Sequence, residues 1–222
     1  MKDFPLDRLI YGGSFDPPHR GHFSMLRYVL ENNLTRLVDL VPAQVSPFKE
    51  DAPPLPPEIR LEMLRLGLEG FLSAEEQNRV RVTDAELRRA PPSYSRDTCR
   101  VLREEFPGAR IGLLLGSDSV RELDRWMTPE EILREHPILV FLRLGEDEAS
   151  VRRSVRELEE RYARESPRFF YFSQVQVDCS STQLRRIFAR EEEEARGPYP
   201  RNCLPPALLE YILSSRLYRS LS

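Results

Sequence analysis

Six short apolar runs, at residues 9–11, 37–41, 80–82, 111–115, 138–142 and 169–172, recur along this chain with amphipathic stretches between most of them. Runs of this length suit strands. The stretches 23–31, 57–68, 96–105, 150–163 and 181–189 repeat apolar residues at three-to-four spacing, which is the period of a helix with one buried face. The alternation predicts an α/β fold: a doubly wound, mostly parallel sheet with helices on both faces. Ligands of such sheets lie beyond the carboxyl ends of the strands, where the winding reverses. The 222 residues suffice for one domain with a substantial core. We read residues 1–222 as that domain, with a last amphipathic helix within 205–219, begun by Pro205 and Pro206, packed on it. The proline-dense segment 42–57 reads as a long surface loop of the kind that forms lids.

The first apolar run leads directly into Gly12-Gly13-Ser14-Phe15-Asp16-Pro17-Pro18-His19-Arg20-Gly21-His22. The glycines permit a tight path, and apolar periodicity begins at Phe23, so a helix opens near Arg20 or Gly21. Its first amides and the positive end of its dipole attract an anion. Spacing of three keeps His19 and His22 on one face, and Gly21 leaves room for a phosphate chain. The junction therefore reads as a grip for polyphosphate. Two other readings stand beside it: a plain turn with capping histidines, or Asp16, His19 and His22 as ligands of zinc or iron. The only other histidine, His136, precedes Pro137 at a helix end, where capping or solvation is expected. No further His/Cys/Asp cluster offers ligands, so no metal site is predicted.

A net charge of −3 and a pI near 5.8 argue against a nucleic-acid binder and for a small anionic ligand met by locally placed cations. Neither G-x-G-x-x-G after the first strand nor G-x-x-x-x-G-K-[ST] occurs, so a dehydrogenase and a P-loop kinase both lose support. Cys99, Cys179 and Cys203 are few and widely spaced, which suits core filling in a reducing cytoplasm. No apolar run reaches membrane-span length, and the first residues lack a signal-peptide core; a soluble, cytoplasmic protein is expected. The acidic run 191–194 reads as a solvated helix end. A second junction, Cys179-Ser180-Ser181-Thr182-Gln183-Leu184-Arg185, places N-cap residues before a helix, with Arg185 one turn in and able to reach a phosphate held at the helix start.

In this order the two junctions resemble the signatures of the nucleotidylyltransferase superfamily, H-x-G-H and I-S-S-T-x-x-R, with Cys179 in place of an aliphatic residue. The long form GGSFDPPHRGH resembles the nicotinate-nucleotide adenylyltransferase family in particular. Ser93-Tyr94-Ser95-Arg96-Asp97-Thr98 is similar to its S-Y-T-x-D-T segment, and Gly116-Ser117-Asp118 with Leu123 and Trp126 to its G-x-D…L-x-x-W segment. Residues 42–49 resemble a P-N-x-x-P-P-H-K loop, and residues 141–145 an R-P-G turn. Ala43, Ser46, Phe48 and Leu144 depart from those patterns, all on the acceptor side.

The resemblance implies a Rossmann-like fold and adenylyl transfer from ATP to nicotinate mononucleotide, giving the dinucleotide and pyrophosphate. It implies catalytic roles for His19, His22 and Arg185. ATP would be bound by these together with Gly13, Ser14, Phe15, Gly21, Gly116, Asp118, Ser181 and Thr182. The acceptor would meet Lys49, Tyr94, Ser95 and Arg143, its pyridine ring stacking on Trp126. Magnesium would come with ATP, held by phosphate oxygens and water. Partners would be these small molecules, with neither nucleic acid nor membrane, and a homo-oligomer is left open. Other expectations are a different acceptor (nicotinamide mononucleotide, phosphopantetheine, a sugar or polyol phosphate), a metal-dependent hydrolase, or a nucleotide sensor without catalysis.

Overall fold

The computed structural model describes residues 4–45, 54–90, 92–142, 145–162, 169–173, 177–190 and 192–219. Six strands form one sheet: β1 (Leu6–Gly13), β2 (Thr35–Pro42), β3 (Val80–Val82), β4 (Ile111–Gly116), β5 (Ile138–Phe141) and β6 (Phe169–Phe172). Their order is β3-β2-β1-β4-β5-β6, and every neighbouring pair is parallel. This is the doubly wound, Rossmann-like order, and its winding reverses between β1 and β4.

The helices, in chain order, are α1 (Arg20–Glu31), α2 (Pro57–Phe71), α3 (Ala74–Gln77), α4 (Ser95–Glu105), α5 (Ser117–Arg121), α6 (Pro129–Glu135), α7 (Glu148–Tyr162), α8 (Ser181–Ala189), α9 (Glu192–Ala195), α10 (Pro198–Cys203) and α11 (Pro206–Ser214). Successive strand side chains point to opposite faces, and both faces are covered. Leu9 and Tyr11 of β1 pack with Phe23 and Leu26 of α1 and Leu64 of α2. Ile10 packs with Leu102 of α4, Ile132 of α6 and Val151 of α7. A third cluster joins α2, α8, α10 and α11 through Met63, Leu184, Cys203 and Leu208.

β1 runs well beyond the apolar triplet at 9–11 because Arg8, which breaks the run, is itself buried. Its guanidinium forks onto Asp39 of β2 at 2.7 and 2.6 Å, and Asp39 also accepts from Arg81 of β3 at 2.6 Å. A charge buried in this way is tolerated because it is paired and hydrogen-bonded to its partner. The short helices α3, α5, α6, α9 and α10 carry too few residues to show a period.

Two expectations are corrected. Cys179 and Cys203 form a disulfide, so they are not separate core fillers, and cysteine usage no longer argues for a reducing compartment. A spacing of 24 residues hides the pairing, which arises because α10 returns beside the segment leading into α8. Cys99 is the free cysteine, its thiol pushed up to about 12 by burial. His136 caps the end of α6 without being solvated: it is buried, its Nδ1 lies 3.0 Å from the Ile111 carbonyl, and burial lowers its pKa. Among the described residues no helix is long and apolar enough to cross a membrane.

Candidate active site

The loop between β1 and α1 turns on Phe15, whose φ of 48° is left-handed, rather than on Gly12 or Gly13, which remain extended in β1. Gly13 serves packing: a Cβ there would meet the Phe15 ring at 3.0 Å. Phe15 is buried edge-on against Tyr11 and His22, with ring centroids 5.5 and 5.2 Å apart.

α1 opens with a reciprocal cap built from the two histidines. His19, the N-cap, accepts the Gly21 N–H on Nδ1 at 3.1 Å, and His22 accepts the His19 N–H on its own Nδ1 at 3.1 Å. A neutral imidazole that accepts on Nδ1 carries its proton on Nε2. Capping therefore fixes both tautomers and makes Nε2 the donor of each ring. The rings lie 3.9 Å apart, centroid to centroid. The helix-start amides are partly spent on this arrangement, so an anion here meets imidazole donors more than backbone. Gly21 leaves space for the His19 ring, 3.0 Å from where its Cβ would stand.

Both imidazoles open into a cavity of about 610 Å³ at the carboxyl ends of β1 and β4, where the winding reverses. α8 closes one side of it. Ser180 caps α8, Ser181 Oγ donates to the Pro17 carbonyl at 2.9 Å, and Arg185 Nη1 donates to the Asp16 carbonyl at 2.7 Å. Ser181 and Arg185 thus face the same cavity as His19 and His22, joined across more than 160 residues of chain. Thr182 is exposed and does not line the cavity; its hydroxyl accepts from Arg185 Nη2 at 3.3 Å. Gly13, Ser14, Phe15, Gly21, Gly116 and Asp118 all line the cavity, Asp118 in the first turn of α5.

The same cavity is lined by Tyr94 and Ser95 at the start of α4, and by Trp126. Trp126 is half-buried, packing against the β4–β5 core while lining the cavity. Lys49 and Arg143 lie outside the described residues.

Asp16, His19 and His22 do not make a metal-binding group. The Asp16 carboxylate accepts from Tyr218 Oη at 2.7 Å and from the Leu55 N–H at 3.4 Å, and both histidine Nδ1 atoms are taken by backbone. Among the described residues no three His, Cys, Asp or Glu side chains are arranged to hold a metal ion.

Over residues 10–187 the chain matches the model of the cytidylyltransferase-like family. It is 36% identical over 195 residues, 86% of each chain, to a probable nicotinate-nucleotide adenylyltransferase of Rhodopirellula baltica. One from Leptospira interrogans is 32% identical over 210 residues, 94% of this chain and 95% of that one. The chain belongs to the nicotinate-nucleotide adenylyltransferase family. In fold it is similar to Plasmodium falciparum nicotinic acid mononucleotide adenylyltransferase complexed with NaAD, with a TM-score of 0.75 and 17% identity over 98% of this chain and 100% of that one.

For a chain of the nicotinate-nucleotide adenylyltransferase family, the structure adds three residues that motif matching missed. Arg60 is fully buried and donates to four carbonyls: Ser14 at 3.0 Å, Ala43 at 2.6 Å, Leu55 at 2.8 Å and Gln44 at 3.4 Å. It ties the loop after β1 to the loop after β2, and burial lowers its pKa. The signal was present in the sequence, since Arg60 shares a helical stripe with Met63, Leu64, Gly67 and Leu68. Glu86, buried on the cavity wall, accepts from the Thr98 hydroxyl of α4, and burial raises its pKa. Tyr218 reaches Asp16 from the C-terminal tail. Neither Glu86 nor Tyr218 carried a sequence signal.

Proposed function

We propose that this chain transfers the adenylyl group of ATP to the 5′-phosphate of nicotinate mononucleotide, releasing pyrophosphate, as a step of NAD biosynthesis. A phosphate oxygen of the acceptor attacks the α-phosphorus of ATP, and the bond from that phosphorus to pyrophosphate breaks. The nucleophile is already anionic, so no general base or covalent intermediate is needed; positioning and charge stabilisation supply the rate.

The observation that carries this reading is the convergence of His19, His22 and Arg185 on one cavity that Trp126 also lines. Imidazole Nε2–H donors and a guanidinium are suited to charge developing on departing pyrophosphate. The indole face suits an electron-poor pyridinium ring. In this reading magnesium would come with ATP and would offset charge on its phosphates. Thr182 serves by orienting Arg185, and Lys49 and Arg143 contact the acceptor phosphate. With ATP as donor, the cytoplasm is where the reaction runs.

The test is pyrophosphate release from one ATP–magnesium stock with nicotinate mononucleotide, nicotinamide mononucleotide and phosphopantetheine as acceptors. Nicotinate mononucleotide should give the highest kcat/KM. A higher value for either other acceptor reassigns the substrate, and no release with any of them leaves a nucleotide sensor.

A further inference from the structure

The C-terminal tail reaches the catalytic loop through one side chain. After α11 the chain turns on two left-handed residues, Arg216 (φ 50°) and Tyr218 (φ 71°). That conformation is costly for a residue with a bulky side chain and is held only where its surroundings impose it. Here the surroundings are a buried site: Tyr218 is 2% exposed, its ring stacked against Phe188 of α8 with centroids 6.1 Å apart. Its hydroxyl donates to Asp16 Oδ1 at 2.7 Å. The carbonyl of the same Asp16 accepts Arg185 Nη1 at 2.7 Å, and Arg185 belongs to α8 as Phe188 does. The contacts close a ring from α8 through Tyr218 and Asp16 back to α8.

We propose that Tyr218 is a positioning residue for Arg185: by fixing Asp16 it holds the carbonyl that aims the guanidinium into the cavity. Burial beside the Asp16 carboxylate raises the phenol pKa, so the hydroxyl stays protonated and remains a donor. Tyr218 itself does not line the cavity, so its effect on chemistry passes through Arg185. The inference rests on the proposed adenylyl transfer only for its kinetic consequence.

The experiment uses the full chain and Tyr218→Phe, which keeps the ring and its packing on Phe188. In wild type the ¹⁵N-labelled Arg185 side chain should give a distinct Nε–Hε resonance, assigned by its loss in Arg185→Ala. In Tyr218→Phe that resonance should move toward the position of exposed arginines. With pyrophosphate release as readout, kcat should fall about tenfold, the scale of one lost hydrogen bond to a charged group, with the mononucleotide KM unchanged. In the Arg185→Ala background the same change should cost no further activity, because coupled residues are not additive. An unmoved Arg185 resonance overturns the proposal whether or not the protein transfers adenylate. So does an equal loss of kcat in both backgrounds. Absence of pyrophosphate release by wild type overturns the proposed function and leaves the resonance test standing.

Discussion

The two walls of the cavity are built differently. On the side proposed for the triphosphate four side chains are tied to backbone: His19 to Gly21, His22 to His19, Ser181 to Pro17 and Arg185 to Asp16. On the acceptor side Tyr94 and Ser95 stand at a helix start, and Trp126 follows a short 3₁₀ turn at Leu123–Arg125. The contrast follows from the chemistry. Charge stabilisation at phosphorus works only with donors fixed before reaction, whereas recognition of one ring can be adjusted in loops without disturbing the chemistry.

The largest expected effect tests the fixed wall. His22→Ala should lower kcat by at least about a hundredfold, on the order of 3 kcal/mol, while leaving the mononucleotide KM near its wild-type value. A turnover number within twofold of wild type would break the assignment. Trp126→Ala tests the other wall. The KM for the mononucleotide should rise about tenfold, in line with loss of one stacking contact, and the KM for ATP should hold. Equal shifts for both substrates would reduce Trp126 to a packing residue and erase the distinction between the walls.

The smallest effect concerns Glu86. Its pKa is raised by burial, so the folded state holds the proton more tightly than the unfolded chain. Its contribution to stability is therefore greatest below the ordinary value of 4.5 and declines as pH rises through the folded-state value. Glu86→Gln cannot ionise and should lose less stability over that rise. Thermal melts from pH 4.5 upward should show the variant gaining on wild type; a pH-independent gap would contradict this.

The sheet was legible because its strands read as short, largely apolar runs, most continuously in β4 and β5, which are buried on both faces. β3 and β6 begin and end where the pattern placed them, whereas β1 was cut short by Arg8, since a charge paired across strands looks like a break in a linear reading. The candidate site was legible wherever function concentrates unusual residues at an element boundary, as with His19, His22, Ser181 and Arg185. Tyr218 and Glu86 were not, because what gives them importance is a partner far along the chain: Tyr218 bonds Asp16 across 202 residues. Arg60 is the instructive middle case, readable from its stripe yet easily passed over as an ordinary helical arginine.

The bond from Arg185 to the Asp16 carbonyl spans 169 residues, and its consequence is one of timing. A ribosome emits both histidines early, yet the arrangement they belong to stays half-made until α8 has emerged. A nascent chain cut short before α8 would carry the two histidines without the guanidinium that packs against their loop.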